Sequence, residues 1–119
     1  MLIGRRIEVA RREEIRPNEL LRVEPGVGPV VLAEVAGRPV AFAGACTHEG
    51  WNLGDGFLFE GTVTCSLHGS RFDIVTGHVL DPPAEIALET YPVVVENGKV
   101  FHHGPTVRVS VGPPGSTRD

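Results

Sequence analysis

Four residues constrain this chain more than all the others: Cys46 and His48 at one place, Cys65 and His68 at another, with sixteen residues between His48 and Cys65. The two cysteines of the chain are both used here, so each place offers one thiolate and one imidazole. A zinc finger usually puts its two cysteines in one arm and its two histidines in the other. Here each arm is mixed. Mixed arms make chemical sense when two metal atoms are held side by side, one iron taking two sulfur ligands and the other two nitrogen ligands. Two ferric ions, two sulfides, two thiolates and two neutral imidazoles sum to zero charge, where four thiolates would leave a double negative charge. An electron is added more easily to the neutral assembly, so its potential is higher. Four donors of this kind could also hold a structural zinc ion in a non-redox binding module, and that reading stays open at this point.

The flanks of the four residues are more specific than the four alone. The first arm reads Cys46-Thr47-His48-Glu49-Gly50-Trp51-Asn52-Leu53-Gly54-Asp55-Gly56. The second reads Cys65-Ser66-Leu67-His68-Gly69-Ser70-Arg71-Phe72-Asp73, followed by Thr76-Gly77 and Pro82-Pro83-Ala84. This stretch resembles the cluster-binding loops of a Rieske-type ferredoxin, of the sort found in aromatic-ring dioxygenase systems. The resemblance runs from Cys46 to Ala84, more loosely from the amino terminus to His102, and does not extend beyond Gly104. It implies one [2Fe-2S] cluster per chain, with Cys46, His48, Cys65 and His68 as ligands. It also implies an all-β Rieske fold: an antiparallel sandwich or incomplete barrel with an inserted rubredoxin-like cluster-binding subdomain.

Several neighbours of the ligands acquire expected roles. Gly50, Gly54 and Gly69 are expected to let the backbone approach the cluster and point amides at sulfur. In high-potential members of the family, a serine and a tyrosine at the positions of Ser70 and Phe72 donate hydroxyl hydrogen bonds to the cluster sulfurs. This chain keeps the serine, has phenylalanine for the tyrosine, and has no spare cysteine pair to clamp the loops. A potential nearer the low end of the roughly −150 to +300 mV range of Rieske centres follows. Pro82-Pro83-Ala84 resembles the family's proline loop, a stiff lid without amide donors that keeps water from the sulfides.

The rest of the chain reads as scaffold. Fifteen glycines and ten prolines in 119 residues point to many turns and little helix, in one domain. Residues 6–10, 20–24 and 30–35 alternate polar and apolar or are β-branched, and Gly37-Arg38 is expected to turn the chain into a strand over residues 40–43. Residues 11–15 suggest a single helical turn, stopped by Pro17. Phe57-Leu58-Phe59 and Thr62-Val63-Thr64 flank a Glu60-Gly61 turn, which makes a hairpin leading into Cys65. After the second arm, residues 86–88, 90–96 and 99–102 read as strands, with Asn97-Gly98 as a strong hairpin signal. The base is thus predicted at residues 1–44 and 85–103, the cluster subdomain at 45–84, and a C-terminal extension at 104–119 with an edge strand over residues 107–111.

Function classes narrow accordingly. A net charge of −4 gives no basic footprint for nucleic acid. No apolar run is long enough for a membrane span or a secretory signal, so the expected location is the cytoplasm and no membrane contact is expected. His78, His102 and His103 are expected to be surface or structural residues, since adjacent strand histidines point to opposite faces. Trp51 is expected to pack against the scaffold. Glu49, Asp55, Glu60, Asp73, Asp81 and Glu85 either form a negative docking surface or are ordinary solvated acids. Without a second metal site, the chain is expected to be an electron carrier and no enzyme by itself. It would take electrons from a flavin-dependent reductase and pass them to a terminal oxygenase. The alternative is a small Rieske-like subunit of a nitrite reductase or another oxidoreductase. Imidazoles that lose protons in the oxidised state would make the potential fall with rising pH.

Overall fold

The computed structural model describes residues 2–3, 6–26, 28–103 and 107–108. Its centre is the hairpin of β4 (Val30–Val35) and β5 (Arg38–Ala43). β3 (Leu21–Val23) pairs with β4, and β10 (Thr90–Tyr91) with β5, giving the order β10-β5-β4-β3. Near-continuous apolar sequence in β4 follows from its position, because both of its faces are covered. Val30 and Leu32 face one way, toward Ala10, Ile15, Ala41 and Val100. Val31 and Ala33 face the other way, toward Phe42, Leu53, Val63, Phe72, Ile74 and both cysteines.

The first of these cores is closed by a second sheet of β2 (Arg6–Arg11), β11 (Val93–Glu96) and β12 (Lys99–His103), in the order β11-β12-β2. The other core is closed by a third sheet of β6 (Phe57–Phe59), β7 (Thr62–Thr64), β8 (Arg71–Asp73) and β9 (Val79–Asp81), in sequence order. β1 (Leu2–Ile3) pairs with β13 (Val107–Arg108). Among the described residues all pairings are antiparallel and the sheets do not close into a barrel. The all-β architecture with two base sheets and an inserted subdomain is therefore the one expected.

The differences from expectation are local. The β4–β5 turn is Ala36-Gly37, with φ of 53° and 79°, and Arg38 already belongs to β5. Asn97-Gly98 adopts the same pair of left-handed conformations, at 52° and 74°, which is the twist that a two-residue hairpin needs. Residues 86–88 form no strand, and Ile86 is largely exposed. The run over residues 90–96 is split: Pro92 lacks the amide that would continue the ladder, and the chain passes from β10 in one sheet to β11 in the other. The helical turn is a short 3-10 turn over Arg12–Glu14. Of the predicted C-terminal edge strand, residues 107–108 are seen paired and residues 109–111 lie outside the described residues. No helix among the described residues is long and apolar enough to cross a membrane.

Candidate metal centre

The two arms are built on one backbone plan. In the first, the Cys46 amide donates to the Trp51 carbonyl at 2.8 Å and the Gly50 amide donates to the Cys46 carbonyl at 2.7 Å. In the second, Cys65 donates to Ser70 at 2.8 Å and Gly69 donates to Cys65 at 3.1 Å. Each loop is closed by an antiparallel pair just outside it, Ala45 with Asn52 and Thr64 with Arg71. The fifth position of each loop is a glycine in the left-handed region, Gly50 at 72° and Gly69 at 81°. A Cβ on either would meet no protein atom within 4 Å. These two glycines are thus required by their backbone turn rather than by crowding from the rest of the chain.

Superposed on that shared plan is one offset: the histidine is the third residue of the first loop and the fourth of the second. The result brings the four side chains to one narrow cleft, lined also by Glu49, Trp51, Leu67 and Ser70. The donors differ in depth. Cys46 and Cys65 are free thiols buried in the core shared with Val31 and Phe42, whereas His48 and His68 are exposed, their ring centroids 5.5 Å apart and edge to face. Burial pushes the Cys46 thiol above its ordinary pKa, and the neighbouring Cys65 adds to this. Amides of His48 and Glu49 pull the other way by hydrogen bonding to the sulfur. Those amides suit a thiolate whose charge is shared with a metal.

The chain from Ala84 to Ile86 meets both arms through hydroxyl groups. Ser70, buried, accepts the Ala84 amide on its Oγ at 2.9 Å, which leaves its own proton free to donate into the cleft. Thr47 donates its hydroxyl to the Ile86 carbonyl at 2.6 Å. Ala84 is buried beside the cysteines, whereas Pro82 is exposed and neither Pro82 nor Pro83 lines the cleft. Phe72 is fully buried behind the cysteines, where its ring is packing and offers no hydroxyl.

Trp51 corrects an expectation. It is 44% exposed and, instead of packing on the scaffold, reaches across to the second arm, donating its indole N–H to Ser66 Oγ at 2.9 Å. The acids also separate. Asp81 pairs with Arg71 at 2.6 Å, Asp55 accepts from the Asn52 side chain, and Asp73 caps the Val75 and Thr76 amides. Glu49 lies against His48. Of the remaining histidines, His102 is buried against the Tyr91 ring and His78 is exposed, as a structural or surface reading requires. Two glycines were quoted in the motif without a role and have one. A Cβ at Gly77 would overlap the Leu88 carbonyl, and one at Gly56 the Thr64 carbonyl. The Gly56 contact crosses the hairpin of β6 and β7, and the Gly77 contact reaches the chain beyond the Pro82–Ala84 segment, which the motif's spacing does not encode.

A comparison with known families matches the Rieske [2Fe-2S] domain over residues 5–92. This chain belongs to the Rieske [2Fe-2S] family. Its cofactor is accordingly a [2Fe-2S] cluster, and two buried sulfurs with two imidazoles around one cleft are a donor set that fits it. The ferredoxin component of biphenyl 2,3-dioxygenase from Rhodococcus jostii (strain RHA1) is 34% identical over 88 residues, which is 74% of this chain and 82% of the relative. Among solved structures, the ferredoxin of Sphingomonas yanoikuyae B1 superposes with a TM-score of 0.80 at 27% identity, covering 85% of this chain and all of the other. A ferredoxin in complex with the oxygenase of carbazole 1,9a-dioxygenase gives a TM-score of 0.79 at 26% identity, over 85% of this chain and 94% of that one.

Proposed function

We propose that this Rieske protein is a one-electron carrier in which Cys46 and Cys65 hold one iron and His48 and His68 hold the other. The observation that carries this reading is the split burial of the donors, sulfurs inside and imidazoles at the surface. When bound, the cluster supplies a centre that takes up and returns a single electron. The chain's own residues give that centre its surroundings. Phe72, Val63 and Leu53 exclude water from the sulfur side, and the His48 and Glu49 amides meet the Cys46 sulfur. Ser70 keeps a hydroxyl proton at the cleft, and the exposed His48 and His68 rings are the shortest way out to a docked protein. A small, transient contact suits such a shuttle.

Relatives named as ferredoxin components, and a related ferredoxin solved in complex with its oxygenase, support a terminal oxygenase as acceptor. A flavin-dependent reductase is the donor in this reading, and the cytoplasm its location. Residues 1–119 are read as one domain, with a base at 1–44 and 85–103, the cluster subdomain at 45–84, and an extension at 104–119. The test is reconstitution from purified components. The free protein, mixed with a flavin-dependent reductase and a terminal oxygenase, is expected to be reduced and reoxidised repeatedly while remaining separable from both. Stable co-purification with a large flavin or haem protein would instead make it a fixed subunit of a nitrite reductase or similar enzyme.

A further inference from the structure

The two imidazoles have unequal neighbours. His48 is followed by Glu49, whose carboxylate Oε2 lies 3.5 Å from His48 Nε2. The donor atoms of His48, Glu49 and His68 all lie within 4.8 Å of one another. His68 sits between Leu67 and Gly69, neither of which can offer a carboxylate. Glu49 lines the cleft, and its own amide is bonded to the Cys46 sulfur, so its main chain is fixed by the arm that its side chain serves. Asp55, Asp73 and Asp81, by contrast, are engaged in the turn and ion-pair contacts described above.

We propose that Glu49 is a positioning and tuning residue for the outer metal ligand. Its carboxylate stands 3.5 Å from Nε2 of His48, and its charge there makes the centre harder to reduce. This rests on the reading of His48 as a ligand. A carboxylate beside a ligating histidine orients its ring and makes it a better electron donor. A negative charge a few ångströms from a centre that gains an electron opposes that gain. Both side chains are partly exposed, so salt screens the effect. His68 has no such neighbour in sequence, and its nitrogen lies within 4.8 Å of the same carboxylate against 3.5 Å for His48, so the two imidazoles feel the charge unequally.

The test is the midpoint potential of the cluster-loaded protein, measured without partners, together with pulsed EPR of histidine nitrogen couplings in the reduced state. Glu49→Gln is expected to shift the reduction equilibrium toward the reduced form by up to about tenfold at low ionic strength, which is about 59 mV for one electron. The shift should shrink in molar salt, where the screening length is about 3 Å. Glu49→Asp, which keeps the charge, should restore most of the original potential, and Glu49→Ala should alter the couplings of one histidine more than those of the other. Glu85→Gln removes an exposed acid close to the Pro82–Ala84 segment and should shift the potential less. Wild-type couplings from two histidines with no shift in Glu49→Gln would overturn this proposal alone, as would an equal shift in Glu85→Gln. Absence of two histidine couplings in the wild type would overturn the ligand reading and this proposal with it.

Discussion

The two arms share a backbone plan, a cysteine and a histidine, and differ in the offset of the histidine and in the flanks. Each has the same pair of hydrogen bonds around its cysteine, the same left-handed glycine and the same antiparallel closure. The first arm then runs into a 3-10 turn over Leu53–Asp55 and shows Trp51 and Glu49 to solvent. The second is set between β7 and β8 and buries Ser70 and Phe72. Repetition thus fixes where the sulfurs sit, and the one-residue offset of the histidines with the differing flanks makes the two sides of the cleft unlike. The first arm shows more of its flank to solvent; the second is held between two strands of the sheet that closes the core.

The anchoring can be broken most severely at Gly77. A residue with a side chain pays about 1–2 kcal/mol for a left-handed backbone, and forced overlap adds typically about 1–3 kcal/mol. Gly77→Ala, at φ 85° and against the Leu88 carbonyl, should therefore cost both, whereas Gly50→Ala and Gly69→Ala should cost only the first and cost it equally. Denaturation midpoints of the three variants compare the shared plan of the arms with the clamp behind the second. Unequal losses at Gly50 and Gly69 would mean that the arms are not equivalent backbones.

Ser70 measures the chemical difference between arms. Ser70→Ala should lower the midpoint potential by roughly 40 mV, the one-electron equivalent of a hydrogen bond contributing about 1 kcal/mol. It should also destabilise the fold by about 1–3 kcal/mol, because the Ala84 amide loses its acceptor in a buried place. Ser66→Ala, which removes only the acceptor of the Trp51 indole, should leave the potential unchanged.

Acid separates the arms in another way. The turn after the first arm is capped by Asn52, whose Oδ1 accepts the Gly54 amide and does not titrate. The turn behind the second is capped by Asp73, and the Thr76 amide, with help from Val75, lowers its pKa below the ordinary 3.8. A depressed carboxylate pKa contributes stability that is present above 3.8 and is lost as pH falls through the folded value. Amide exchange at Val75 and Thr76 should accelerate below that pH while exchange at Gly54 does not follow, and Asp73→Asn should abolish the difference. The smallest effect is expected at the hairpin that feeds the second arm. Glu60 holds φ 48° where asparagine is better suited, so Glu60→Asn should raise stability by up to about 1 kcal/mol.

Most of the scaffold was legible because its signals are local. Val30–Val35, Phe57–Phe59, Thr62–Thr64 and the Asn97-Gly98 turn lie where alternation and turn chemistry put them. Residues 86–88 misled because an apolar triplet reads as a strand, although its hydrogen bonds go elsewhere: the Leu88 amide to Gly77 and the Ile86 carbonyl to Thr47. Ala36 took the place of the usual turn-forming residue, which moved the expected turn by one position. At the site, the motif led to the four side chains that line one cleft. The matched frame of the two loops, the Gly77 clamp and the outward Trp51 all depend on contacts across the chain, which spacing does not encode.

The most direct measurement of the central claim is EPR of the anaerobically reduced protein, resolving the nitrogen couplings of the metal centre. Ligation by Cys46, Cys65, His48 and His68 predicts a rhombic signal that appears on reduction, with couplings from two imidazoles, and that His48→Ala and His68→Ala each abolish or convert. A colourless protein that binds zinc and shows no signal on reduction would contradict it.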